Sequence, residues 1–189
     1  MGTVPFSTHY RFILAHVANY YSLCDMENID VLIQDEIYLE RLLISTNSDS
    51  RDLAGNIRAA RAILNSFPDV YIVINAHYLE LRHKNPEYII DGRLGDRKGI
   101  MSEKGITAGF KSAKKQGCKI VVIDLDKHIL QVRPFELSKY IARRKADFTS
   151  GMMEACYIVF NGNAVVVNAR NSAYRLLIIN CPETTRYNN

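Results

Sequence analysis

Nowhere in this 189-residue chain is there a run approaching the about 18 consecutive apolar residues of a membrane-spanning helix. Phe12 to Leu23 is apolar, but His16 and Asn19 interrupt it and no small-residue cleavage pattern follows. A folded helix is expected there rather than an export signal, with no membrane span and, from the chain alone, a cytoplasmic setting. Cysteine is scarce: Cys24, Cys118, Cys156 and Cys181 show no CxxC or Cys/His ligand spacing. That excludes the common structural zinc classes and fits a reducing compartment. Excess charge is lacking too. A net charge of +4 permits a nucleic-acid partner without demanding one. What remains is an ordinary globular balance, 48% hydrophobic and 23% charged, which excludes global disorder and predicts one domain with an extension.

The most informative stretch is Asn85-Pro-Glu-Tyr-Ile-Ile-Asp-Gly-Arg-Leu-Gly-Asp-Arg-Lys98. Asp91-Gly92 between two strand-like runs is the signature of a type I′ hairpin, whose two central residues both need positive φ. A two-residue turn sets Ile90 opposite Arg93, Ile89 opposite Leu94, Tyr88 opposite Gly95 and Glu87 opposite Asp96. Opposed residues share a face, with Cβ atoms about 5 Å apart. Lys98, two residues beyond Asp96, projects from that face as well. Two opposed carboxylates repel, and a divalent cation between them would compensate. Glu87 and Asp96 are therefore candidate Mg²⁺ ligands, with the Arg97 carbonyl as a further oxygen, and Lys98 is the candidate catalytic cation. Asp91 is the alternative acid if the turn is not tight.

Pro86-Glu87, then Asp96-Arg97-Lys98, resembles the signature of the PD-(D/E)XK nuclease superfamily, with Glu in place of the usual first Asp. With the lysine-rich helix and Cys118-Lys-Ile-Val-Val-Ile-Asp that follow, the chain is similar to a narrower group, the C-terminal tRNase domains of contact-dependent growth inhibition (CdiA-type) toxins. The resemblance covers roughly residues 53–169. It implies an α/β fold with a restriction-endonuclease-like αβββαβ core, a mixed sheet flanked by helices. It also implies a metal-dependent endonuclease using Mg²⁺ or another divalent cation such as Mn²⁺ or Zn²⁺, a tRNA substrate, a cognate immunity protein as partner, and delivery into another cell. In that family the helix before the hairpin often contributes an acid or amide near its start, the place that Asn56 occupies. By the same analogy Gln116 reaches toward phosphate.

Along the chain, residues 1–50 are expected to form a helical N-terminal extension, with helices over Tyr10 to Cys24 and Ile29 to Ile44. Asp35, Glu36 and Glu40 would take the wet face of the second, and the polar run Ser45 to Ser50 would be a linker. Residues 51–180 are expected to form the nuclease-like domain and 181–189 a tail. Within the domain the pattern predicts a helix over Asp52 to Phe67, capped by Asp49, Ser50 or Asp52, and a strand over Val70 to Ile74. After the hairpin come a helix over Ser102 to Gly117 and a strand over Lys119 to Leu125, the latter parallel to the hairpin's second strand. A helix over Phe135 to Phe148, a second hairpin around Asn161-Gly-Asn163 and a last strand over Arg175 to Asn180 complete it.

Lys111, Lys114, Lys115 and the run Arg143-Arg144-Lys145 are expected on outer helix surfaces, where they would hold phosphates. His128 has no visible partner. A metal-independent ribonuclease would instead use His77 with Glu80. A protein that binds nucleic acid with a nuclease-like fold, or serves a mobile element structurally, and does not cut is the remaining alternative.

Overall fold

The computed structural model describes residues 32–79, 85–100, 103–126, 137 and 140–169. They form an α/β unit around a single eight-stranded mixed sheet whose spatial order follows the chain from β1 to β8. The strands are β1 (Leu32–Asp35), β2 (Leu39–Ser45), β3 (Ile72–Ile74), β4 (Tyr88–Ile90), β5 (Arg93–Gly99), β6 (Ile120–Asp124), β7 (Ala155–Phe160) and β8 (Asn163–Asn168). Helix α1 (Leu53–Ser66) links β2 to β3, α2 (Glu103–Lys115) links β5 to β6, and short α3 (Lys145–Thr149) precedes β7. The neighbouring pairs β2–β3, β5–β6 and β6–β7 are parallel, and the others antiparallel.

The central hairpin has the expected register, Tyr88↔Gly95, Ile89↔Leu94 and Ile90↔Arg93. Its turn residues Asp91 and Gly92 have φ of 46° and 75°, the left-handed pair that a two-residue turn requires. The Asp91 carboxylate accepts the backbone N–H of Tyr71 at 2.9 Å, so it ties the turn to the chain entering β3 and is no alternative active-site acid. The hairpin around Asn161-Gly162 and the parallel docking of β6 on β5 also agree with the sequence pattern.

The segment 29–44 is a correction. Within the described residues it is not a helix but the β1–β2 hairpin, and β2 pairs in parallel with β3. The apolar residues that suggested one helical stripe face both sides of the sheet: Leu42 packs with α1, whereas Leu43 is buried on the opposite face. Asp35 is not on a wet face. Its carboxylate accepts the N–H groups of Ile37 and Tyr38 and pairs with Arg61 at 2.7 Å, fixing the turn. The hairpin thus belongs to the same sheet as the strands that follow residue 50. Residues 1–31 lie outside the described set, as do the expected strand 175–180 and the tail. The expected helix 135–148 is interrupted: 137 and 140–142 are helical, 143–144 turn, and α3 follows.

Helix α1 is rich in alanine for a structural reason. Ala59, Ala60 and Ala62 are buried with Ile63 and Leu64 against Leu42, Ile72, Ile74, Tyr88, Ile90, Val122 and Val159. Small side chains let the helix lie close to the sheet. Near its C-terminal end, Asn65 accepts a hydrogen bond from the Tyr38 hydroxyl in the β1–β2 turn and donates to the Gly162 carbonyl in the β7–β8 turn. In a flat sheet those outer strands would stand about 33 Å apart. One side chain reaching both means that the sheet curls around α1. The opposite face carries α2 and the 137–149 segment, through Ile106, Phe110, Ala113, Leu137, Ile141 and Phe148 against Val121, Ile123, Cys156 and Ile158.

Candidate active site

Strand β5 alternates, and its two faces hold two different polar assemblies. Toward α1 points Arg97, almost fully buried. Its guanidinium donates to Asn56 Oδ1 at 2.6 Å, to Asp124 at 2.8 Å and to Asp52 at 3.3 Å. Arg58 reaches the same Asp124 oxygen at 2.6 Å, and the Tyr88 hydroxyl donates to the Asn56 carbonyl. Gly55 makes room: a Cβ there would sit 2.9 Å from an Arg97 nitrogen. Asp52 begins α1 but caps it with no side-chain bond, because it serves Arg97 instead.

Toward α2 point Asp96 and Lys98. Asp96 is 1% exposed, and its Oδ2 meets Lys98 Nζ at 2.7 Å and Gln116 Nε2 at 2.9 Å. Glu87, immediately before β4, takes the position opposite Asp96 when the observed register is continued by one residue, and its Oε2 accepts the Arg97 N–H at 2.5 Å. Burial pushes the Glu87 carboxyl up, and the nearby Asp96 charge pushes it further, to about 8, against the pull of the Arg97 N–H and of Lys98. Gly109 of α2 clears the space over Lys98, since a Cβ there would lie 3.3 Å from its Cγ.

One further polar residue shares this face. Asn75 follows β3, and its N–H bonds to the Glu87 carbonyl at 2.9 Å, which sets it directly across from Glu87. It is 7% exposed, its Nδ2 donates to the Pro86 carbonyl at 3.0 Å, and its Oδ1 is buried with no hydrogen-bond partner. An orphaned buried acceptor costs about 1–3 kcal/mol. Sequence reasoning missed Asn75. The signal was available only after β3 was aligned with β4, which needs the antiparallel register.

Glu87, Asp96, Lys98 and Gln116 are therefore brought together on one face. Asn56 is not among them. It lies on the opposite face, buried, holding Arg97, and cannot serve the same site. Lys111 and Lys115 are exposed on α2 as expected. Lys114 departs from expectation, being half-buried and paired with Asp147 at 2.7 Å, a bond that joins α2 to α3. Arg143 lies over the Tyr140 ring at 4.9 Å, Lys145 is exposed, and Arg144 is half-buried with an unpartnered Nε. His77 pairs with Asp49 at 3.8 Å, whereas Glu80 and His128 lie outside the described residues.

No family model, curated protein or solved structure matches the chain. Among the described residues no group of three or more His, Cys, Asp and Glu side chains is placed to hold a metal ion. A divalent cation would depend on two carboxylates plus neutral oxygens, a donor set suited to a hard cation that keeps several waters. The unfavourable approach of the Glu87 and Asp96 carboxyls and the orphaned Asn75 oxygen beside them fit such an ion. The all-oxygen character favours Mg²⁺ or Mn²⁺ over Zn²⁺.

Proposed function

We propose that this protein is a metal-dependent endonuclease of the PD-(D/E)XK type, with tRNA as the favoured substrate and a toxin-like role. The observation that carries this reading is the convergence of Glu87, Asp96 and Lys98 on one face of the β4–β5 hairpin, with Lys98 Nζ 2.7 Å from Asp96. The order α1, β3–β4–β5, α2, β6, with the two helices on opposite faces, supports the same superfamily. The preference for tRNA rests on the sequence resemblance.

When bound, a divalent cation supplies a water of lowered pKa and positive charge against the scissile phosphate. Glu87 and Asp96 hold and orient it. Gln116 and Lys98 fix the Asp96 carboxylate, and the Lys98 ammonium would orient the attacking water or face charge developing on phosphate. Exposed Lys111, Lys115 and Lys145, with Arg143, contact backbone phosphates without reading sequence, so binding weakens steeply with salt. A cognate immunity protein would cover this basic face with acidic groups. No described helix is long and apolar enough to cross a membrane.

The test is incubation with total tRNA and with plasmid DNA, each with Mg²⁺, with EDTA and with Asp96→Ala. Discrete tRNA fragments that vanish in EDTA and in the variant are expected. Cutting that survives both would move the site elsewhere, toward His77. A silent nucleic-acid-binding protein is the second reading, favoured by the internal pairing of Asp96 with Lys98. It predicts salt-sensitive binding with no cleavage.

A further inference from the structure

Continued one residue past the paired ends of β3 and β4, the register places Ser45, Asn75, Glu87 and Asp96 side by side across the sheet, all on the face away from α1. Three of these side chains have defined internal partners. Ser45 Oγ accepts the Asn47 N–H, Glu87 accepts the Arg97 N–H, and Asp96 accepts from Lys98 and Gln116. Asn75 alone in this row has an oxygen that is buried and unmatched. Its amide cannot simply be turned around, because Nδ2 is bonded to the Pro86 carbonyl, and a carbonyl can only accept. The oxygen is thus fixed in orientation, next to a carboxylate pair, and is waiting for an electropositive partner.

We propose that Asn75 is a third protein donor of this site, its Oδ1 coordinating the divalent cation held by Glu87 and Asp96. The proposal rests on the cation-dependent reading above and adds a residue from the strand before the hairpin. A neutral amide oxygen suits this role beside two acids. It raises the number of protein oxygens without adding a third negative charge to a buried cluster.

The test measures Mn²⁺ binding to the full chain by electron paramagnetic resonance and calorimetry, in wild type, Asn75→Ala, Asn75→Asp and Asp96→Ala, with metal-free melting of each. Asn75→Ala is expected to weaken Mn²⁺ binding about 10- to 100-fold, as losses around metal sites commonly do. Asn75→Asp loses the bond to Pro86 but keeps an oxygen, so it is expected to bind Mn²⁺ at least as tightly as wild type. If Asn75 only braced the end of β3, Ala and Asp would weaken binding alike, and the proposal would fail. It also fails if wild type binds Mn²⁺, Asp96→Ala does not, and Asn75→Ala is unchanged, an outcome that leaves the cation reading intact. Absence of binding in wild type at millimolar Mn²⁺ removes both.

Discussion

Adjacent residues of β5 serve two assemblies that differ in how completely their charges are matched. On the α1 side, Arg97 is enclosed by Asp124, Asp52 and Asn56, and Asp124 also takes Arg58. On the α2 side, two carboxylates face each other, the Glu87 carboxyl is driven up, and the Asn75 oxygen has no partner. A buried network that closes on itself holds a fold together, whereas one with a carboxyl driven toward its neutral form beside an unpartnered acceptor oxygen suits the arrival of something cationic. On the proposed reading, the same strand carries a clamp on one side and a receptive site on the other.

The sharpest way to break this comparison is to unbalance the clamp. Asp124→Asn leaves Arg97 buried without its main counter-charge, and a loss of about 3–5 kcal/mol is expected in urea denaturation. A loss below about 1 kcal/mol would deny Arg97 its structural role. On the other side, Lys98→Met is expected to lower tRNA cleavage by about 100-fold or more with the fold retained by circular dichroism. Unchanged cleavage would remove Lys98 from the chemistry.

The pH dependence distinguishes the faces next. Because the Glu87 carboxyl titrates near 8 in the folded chain and near 4.5 in the unfolded one, the folded state holds a proton that the unfolded state has released between those values. Metal-free protein should thus be most stable below about 4.5 with respect to this group and lose that stability as pH rises toward about 8. Glu87→Gln should flatten the slope in thermal melts in EDTA, and an unaltered slope would refute the assignment.

The smallest effects come from the two glycines that accommodate the β5 cations. Gly55→Ala would push against a guanidinium pinned on three sides, and about 1–3 kcal/mol of destabilisation is expected. Gly109→Ala meets only the Lys98 stem, and the helix gains from alanine, so stability should change by less than about 1 kcal/mol. Cleavage should still fall a few-fold as Lys98 shifts. Equal stability losses at both sites would show that the faces are packed alike.

The hairpin was legible because its turn chemistry is local: Asp91-Gly92 determines the register, and register determines that Glu87, Asp96 and Lys98 share a face. Helices α1 and α2 and strand β6 were legible from periodicity. Segment 32–45 was not, because Leu42, Leu43 and Ile44 face both sides of a sheet whose partner, β3, lies a helix away in sequence. Asn56 was misplaced because helical spacing gives distance along α1 but not the face of the sheet on which α1 lies. The crossovers β2–α1–β3 and β5–α2–β6 advance the same way between strands of the same direction yet sit on opposite faces, so they have opposite hands. The usual preference for one hand could not have predicted that.

The two-residue turn at Asp91-Gly92 also acts as a reading frame. One residue inserted into it would slip β5 by one position against β4, and every side chain of the strand would change sides. Arg97 would enter the acidic face, while Asp96 and Lys98 would be driven against the alanines of α1. A single insertion of this kind would abolish clamp and site in one step while leaving all of their residues in the chain. Substitutions at the turn can therefore be absorbed more readily than any change in its length.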